Sequence, residues 1–175
     1  MSESKSKFFG FIDSTANAEN RRPNIKGELA RADGQLHTFA IWGGAKKDGS
    51  GLYLKGMVQP KNITAALSAQ IAEAADIEQP AGLTLKVGEI VLFENDKGDN
   101  DKRPDYYGYS RTAEGINRHS AWGAIGNDGA LQLRGSTEVW TPTAAADAKA
   151  EAATQAERPA QGAKTKVREA LTAKR

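Results

Sequence analysis

Two tyrosines and an arginine occupy alternate positions in the stretch "DYYGYSR", at Tyr107, Tyr109 and Arg111. Successive side chains of a β-strand point to opposite faces, so in a strand these three would share one face. Aromatic rings offer flat surfaces on which the bases of a single strand stack, and an arginine beside them can hold phosphates. The pattern therefore predicts a nucleic-acid-binding face. The alternative is that the tyrosines pack beneath a helix.

Basic side chains lie in the turns and strands on either side of this face and would complete it as phosphate contacts. The alternative is that basic residues scattered over turns only keep the protein soluble. The predicted contact set consists of Tyr107, Tyr109, Arg111, Arg103, Lys102, Arg118, Arg134, Lys26, Arg22, Lys46, Lys47 and Lys55.

Other chemistries find little support in the residue types. The chain has no cysteine, which excludes disulfides, thiolate metal sites and cysteine nucleophiles. His37 and His119 have no neighbouring ligand at metal spacing, and the acid-rich loop 94–104 lacks the final glutamate of a calcium loop. The sequence also carries no phosphate-binding glycine loop, nucleophile elbow or matched pair of catalytic carboxylates. We therefore expect no enzyme, no metal and no cofactor.

The composition is that of a polar globular chain, with 175 residues, 39% of them hydrophobic, a formal net charge of +2 and a mean hydropathy of −0.58. A charge this small permits a polyanionic partner without requiring one. No apolar run reaches the roughly 18 residues of a membrane span. Residues 1–13 also lack the apolar segment and cleavage site of a secretory signal. We expect a protein of the bacterial cytoplasm that does not engage a membrane.

The chain contains two related halves, covering 7–80 and 84–158. Proline, glycine and tryptophan are uncommon residues that particular backbone or packing positions require. When such residues recur in the same order in both halves, they indicate an internal repeat, and we call the matched pairs anchors. The two tryptophans fall at equivalent positions, and we expect both to be packing residues. The matched anchors are Pro23 with Pro104, Gly27 with Gly108, Gly34 with Gly115, Trp42 with Trp122, Gly49 with Gly129, and Leu52 with Leu131.

Each half has the pattern of four strands in an antiparallel meander, with glycine-containing turns between alternating segments. We therefore predict a mainly β protein with one or two helices, built from two tandem four-stranded repeats that are OB-like or form a small barrel. A helix is predicted between the halves, where Asn62 can cap a stripe of Ile63, Leu67 and Ile71, and Pro80 ends it.

The predicted organisation has three parts: a first β unit with its linking helix at 1–80, a second β unit at 84–140, and an alanine-rich helix with a basic tail at 141–175. The alanine-rich stretch has high helix propensity but no large apolar side chain to bury. We therefore expect that helix to fray or to float free of the sheet. The basic tail that follows, "KTKVREALTAKR", is expected to be disordered or to fold on binding.

Within "GEIVLFENDKGDNDKRPDYYGY" and "GINRHSAWG", the second half resembles a widespread family of small β-domain proteins of phages and conjugative plasmids. The family pattern is a strand, a loop rich in Asn, Asp and Lys, Pro-Asp-Tyr-x-Gly, a short hairpin and Ala-Trp. The first half is more loosely similar, with Asn24 and Ile25 in place of Asp-Tyr and Ile41 before Trp42. The resemblance implies a mobile-element origin, a compact β fold and an OB-like single-strand binder. The matching residues are Pro104, Asp105, Tyr106, Gly108, Ala121 and Trp122.

Together these observations favour a non-enzymatic protein that binds single-stranded DNA for a phage or mobile element. Two other functions stay open. The protein would be a phage-encoded inhibitor of a host defence system, of the anti-CRISPR or anti-restriction type, with its acidic loop imitating phosphate. Alternatively it would be a virion or scaffold component. The partners are accordingly single-stranded nucleic acid or a host or phage protein, and the sequence is compatible with a homo-oligomer.

Overall fold

The described chain is an eight-stranded antiparallel β-barrel with one helix. The computed structural model describes residues 6–16, 19–46, 48, 51–61, 77–142 and 163–172. The strands follow one another around the barrel in chain order, which confirms the prediction of a mainly β protein. The elements are β1 (Lys7–Ile12), β2 (Ile25–Ala30), β3 (Leu36–Ala45), β4 (Leu52–Pro60), β5 (Glu89–Glu94), β6 (Tyr106–Thr112), β7 (Gly115–Ile125), β8 (Leu131–Val139) and the helix α1 (Ala163–Thr172).

Two seams join the halves of the chain into a single barrel. β4 pairs with β5, and β1 pairs with β8 as well as with β2, so neither half has a free sheet edge. Each half contributes four consecutive antiparallel strands. Of the two predicted architectures, a small barrel describes this arrangement, because an OB-fold closes with five strands in a Greek-key order.

Alternation along the strands divides inner from outer side chains. Ile25 and Leu29 of β2 are buried inside the barrel, as are the equivalent Tyr106 and Ser110 of β6. The rings of Phe8 and Phe39 stack in the interior with their centroids 4.6 Å apart. The main core cluster comprises Phe8, Ile12, Ile25, Leu29, Phe39, Ile41, Leu52, Leu54, Val58, Ile90, Leu92, Tyr106, Ala121, Leu133, Val167 and Leu171.

Helix α1 closes one end of the barrel, which we call the upper end. Val167 and Leu171 lie four residues apart, on one face of the helix, and both are buried in the main core cluster. Arg168 Nε lies 3.1 Å from Glu94 Oε1, at the end of β5. The tail was expected to be disordered or to fold on binding, and residues 163–172 instead form a helix packed on the barrel. Two apolar side chains are enough to hold this helix, because both are buried in the open end of the barrel.

Other predicted segments fall on parts of the chain that the structure does not describe. The predicted linking helix falls largely on residues 62–76, and the predicted alanine-rich helix falls largely on residues 143–158. Both ranges lie outside the described residues. Within the described residues, no helix has the length and apolar character needed to cross a membrane.

Glycines mark the points where neighbouring strands approach most closely. A Cβ on Gly27 would lie 2.0 Å from the carbonyl oxygen of Phe9 on β1, and one on Gly108 would lie 2.0 Å from that of Val91 on β5. These two glycines are matched anchors of the sequence repeat. A Cβ on Gly43, by contrast, would have no neighbour among other residues closer than 3.5 Å.

The first prediction compares two glycines of the same barrel wall. Gly27→Ala must push β1 away from β2, and we expect it to lower the free energy of unfolding by about 3 kcal/mol, in the range of an overpacked core. Gly43→Ala meets only ordinary van der Waals contacts, and we expect a change within about 0.5 kcal/mol. Urea unfolding followed by circular dichroism measures both. Equal losses in the two variants would contradict the close approach at Gly27.

Candidate nucleic-acid interface

A buried carboxylate fixes the segment that leads into the predicted face. Asp105 is 3% exposed, and its Oδ2 accepts a hydrogen bond from the backbone N–H of Gly123 at 2.8 Å. Its Oδ1 lies 2.5 Å from Nζ of Lys97, which comes from the acid-rich loop. In the first half, Asn24 Oδ1 accepts a hydrogen bond from the N–H of Gly43 at 2.7 Å. Asp105 therefore ties the loop before β6 to β7.

The lower part of the predicted face is covered. Tyr107, Tyr109 and Arg111 do share the outer face of β6, as alternation predicts. Arg111 is only 7% exposed, however, and its Nη1 donates a hydrogen bond to the carbonyl oxygen of Leu85 at 2.9 Å. Tyr109 packs with Leu85 in a second apolar cluster on the outside of the barrel. Arg111 and Tyr109 thus hold the segment before β5, and they do not form an open binding surface.

Tyr107 instead belongs to a row of rings that runs across three strands. The register aligns Tyr53 of β4 with Phe93 of β5, and Phe93 with Tyr107 of β6. The centroids of Tyr53 and Phe93 are 5.6 Å apart, and those of Phe93 and Tyr107 are 5.5 Å apart. All three side chains are half-buried on the outer surface, and Tyr53 and Phe93 also pack against the second apolar cluster. We call Tyr53, Phe93 and Tyr107 the ring row.

Two of the predicted cations flank the ring row. Lys55 lies two residues beyond Tyr53 on the same outer face of β4, and its Nζ is 3.1 Å from Glu89 Oε1. The hydrogen bond to Glu89 raises the pKa of Lys55, so this ammonium is charged at neutral pH. Arg118 of β7 lines a small cleft together with Tyr107, Ser120 and Pro104. Rings and positive charges therefore adjoin on the surface of β4 to β7.

The remaining predicted cations are spread around the barrel. Lys26 faces outward from β2, and Arg134 from β8, where its guanidinium lies 5.9 Å from the centroid of the Phe9 ring. Arg22, Lys46, Lys102 and Arg103 belong to the connections at the upper end, and Lys47 lies outside the described residues. The eleven predicted residues that the structure describes do not make one face.

One of the two tryptophans differs from expectation. Trp122 is buried, as expected of a packing residue, but the equivalent Trp42 is 39% exposed on the outer face of β3. Its Nε1–H donates a hydrogen bond to the carbonyl oxygen of Arg21 at 3.0 Å, which anchors one edge of the ring. Trp42 pairs with Lys55 across β3 and β4, so it extends the aromatic surface beyond the ring row.

Both histidines lie in the barrel interior. His119 Nε2 is 2.8 Å from Ser110 Oγ, and Nδ1 is 3.0 Å from Thr137 Oγ1. Burial lowers the pKa of His119 to about 3. His37 is also fully buried, and desolvation lowers its pKa against the opposing effect of Glu114, whose Oε2 lies 3.9 Å from Nε2. Neither ring faces the outer surface.

Among the described residues, no group of three or more His, Asp or Glu side chains is arranged to hold a metal ion. The serine–histidine contact inside the barrel has no exposed atom, since Ser110 and His119 are both 0% exposed. A nucleophile must reach its substrate, so this pair serves as a satisfied polar contact of the core.

The role of Asp105 gives a second prediction. Asp105→Asn keeps an oxygen for the Gly123 N–H, as Asn24 does for Gly43, and loses only the ion pair with Lys97. We expect Asp105→Ala to lower the free energy of unfolding by about 3 kcal/mol, because it leaves both partners unsatisfied, and Asp105→Asn to lower it by about 1 kcal/mol. Urea unfolding tests the order. Asp99→Ala, an exposed position of the same loop, is the control. Equal losses in the two Asp105 variants would refute the role of the Gly123 bond.

The buried His119 gives a third prediction, for the pH dependence of stability. Its folded pKa lies below the unfolded value, so the unfolded chain takes up the proton first, and stability falls as the pH drops from about 6.5 toward 3. Between pH 7 and pH 5 this histidine accounts for a loss of about 2 kcal/mol. Glutamine does not titrate, so the unfolding free energy of His119→Gln should fall by about 2 kcal/mol less than that of the unaltered protein between pH 7 and pH 5. Parallel curves for the two proteins would show that His119 is not buried as the neutral form.

No protein-family model matches the chain, and neither curated proteins nor solved structures give a significant match. The function must therefore be inferred from the ring row and the charges beside it.

Proposed function

We propose that the protein is a non-enzymatic binder of single-stranded DNA, and that the ring row is the centre of its contact surface. The observation that carries this proposal is the alignment of three half-exposed rings on neighbouring strands, with Lys55 and Arg118 beside them. The proposed surface differs from the predicted face of Tyr107, Tyr109 and Arg111. It keeps Tyr107 but runs across β4, β5 and β6 instead of along β6.

The physical basis is stacking assisted by charge. Every base has a π-face, so a row of rings accepts bases without regard to sequence, at roughly 1–3 kcal/mol per base. Sheet surfaces in known RNA-binding modules stack two or three bases on aromatic side chains in this way. Lys55 and Arg118 lie where a phosphate backbone beside the stacked bases would need them. The barrel supplies the rigidity that keeps the rings in place.

We further infer that the two halves arose by duplication within the gene, in a phage or mobile element, and that the protein acts in the cytoplasm of a bacterial host. The duplication is supported by equivalent contacts. The bond from Gly43 to Asn24 has its counterpart from Gly123 to Asp105, and the close approach at Gly27 has its counterpart at Gly108. The second copy then carries Tyr107 where the first carries Lys26.

The fourth prediction tests binding directly. A fluorescein-labelled 16-nucleotide oligo-dT should bind more tightly than a duplex of equal length in fluorescence anisotropy, and the affinity should fall as salt rises. Tyr107→Ala removes one stacking surface and should weaken binding by about 5- to 150-fold. Arg118→Gln should weaken binding less and reduce the slope against log salt by about one.

Val139→Ala is the matched control, because Val139 is 54% exposed at the end of β8, away from the ring row. Val139→Ala should bind like the unaltered protein. Tyr107→Ala and Arg118→Gln should unfold at the same urea concentration as Val139→Ala. An unchanged affinity for Tyr107→Ala, or no oligonucleotide binding at low salt, would overturn the proposed function.

A further inference from the structure

The outer face of the first half carries an open groove. It runs over β1 to β4, has a volume of about 700 Å³, and is lined by Phe9, Phe11, Lys26, Ala40 and Met57 among others. Phe11 is 50% exposed and Met57 is 62% exposed. Large exposed apolar side chains that lie together on a protein surface mark an interaction site more often than chance. In the second half, the outer apolar residues Val91 and Ile116 are instead buried in the cluster with Leu85.

The groove is continuous with the ring row. The strand register places Phe11 opposite Lys26, Lys26 opposite Ala40, and Ala40 opposite Met57. Trp42 lies two residues beyond Ala40 on the same outer face and is paired with Lys55. Lys55 in turn adjoins Tyr53 of the ring row. Rings and cations therefore follow one another along the outer surface from β1 to β6, around more than half of the barrel.

The charges of the groove favour an anionic ligand. Lys26 lines it, and the Arg134 guanidinium lies over the Phe9 ring at its margin. Glu28 also lines the groove, and Glu89 lies on β5 next to Lys55. Both carboxylates have cationic partners: Glu28 Oε1 is 2.7 Å from Lys61 Nζ, and Glu89 Oε1 is 3.1 Å from Lys55 Nζ. Each pair carries no net charge, so Lys26 and Arg134 supply the positive charge of the groove.

We infer that the groove is the second part of one binding track, on which a single DNA strand leaves the ring row at Tyr53, passes Trp42 and ends against Phe11 and Phe9. This inference rests on the proposed function and extends it to the first half. An apolar protein partner would need no cations beside the rings, whereas a polynucleotide needs cations for its phosphates next to the rings that stack its bases, and both are present along this path.

The geometry sets the length of strand that fills the track. Neighbouring strands are about 4.8 Å apart, so the ring row from β4 to β6 spans about 10 Å, and the path from β1 to β6 spans about 24 Å. With about one base per ring, the ring row holds about three nucleotides and the whole track about six to eight. Barrels that bind single strands occupy about 4–16 nucleotides. Affinity should therefore rise steeply between four and eight nucleotides and slowly thereafter.

The fifth prediction uses labelled oligo-dT of four and twelve nucleotides in fluorescence anisotropy. Phe11→Ala should weaken binding of the 12-mer by about 5- to 20-fold and leave the 4-mer unchanged, because the shorter strand is satisfied by the ring row. Tyr107→Ala should weaken both. Lys26→Gln should act on the 12-mer alone and reduce its salt dependence. Val139→Ala serves as the control for both lengths, and urea unfolding checks that every variant is folded.

The outcomes separate the two proposals. If neither oligonucleotide binds, the proposed function falls, and this inference falls with it. If Tyr107→Ala weakens binding while Phe11→Ala leaves the 12-mer unchanged, the groove is not part of the track, although the proposed function stands. A dimer in sedimentation velocity that Phe11→Ala dissociates, with 12-mer binding unchanged, would likewise overturn the inference and assign the groove to a second copy of the chain.

Discussion

Closure of the sheet is the constraint on which the rest of this structure depends. Four antiparallel strands have two open edges, and an open edge invites pairing with other chains. Here the edges of the two halves satisfy each other, through β4 with β5 and through β1 with β8. Closure also fixes which side chains are inside. The interior is filled and α1 covers its upper end, so a ligand as large as a nucleic acid strand is left with the outer surface.

The same constraint governs which side chains fill the interior of each half. A closed barrel has limited interior volume, and large rings on some strands require small residues on others. Phe39 of β3 is paired with Gly27, and His119 of β7 is paired with Gly108, so each half places a ring opposite a glycine. In the second half the ring is the polar imidazole of His119, and Ser110 and Thr137 are its hydrogen-bond partners.

Sequence reasoning identified what depends on one strand and missed what depends on several. Alternation placed Tyr107 on the outer face of β6, but it does not reveal that Leu85 folds over Arg111. Phe93 lies in an apolar run typical of a buried strand, and only the register across β5 and β6 places it beside Tyr107. The equivalence of the tryptophans suggested packing, yet different neighbours leave Trp42 exposed. For α1, two apolar residues carry too little periodicity to indicate a docked helix.

The choice of ligand class follows from how rings and charges are combined on the outside. Exposed rings are costly to leave in water, and a surface built only for a protein partner would deplete charge at its centre. On this barrel Lys26 and Arg118 adjoin the rings, and Glu28 and Glu89 are paired with Lys61 and Lys55. The net charge of +2 is too small to hold a polyanion by long-range attraction alone. In the proposed function, stacking must then provide most of the affinity, with the cations fixing the path of the strand.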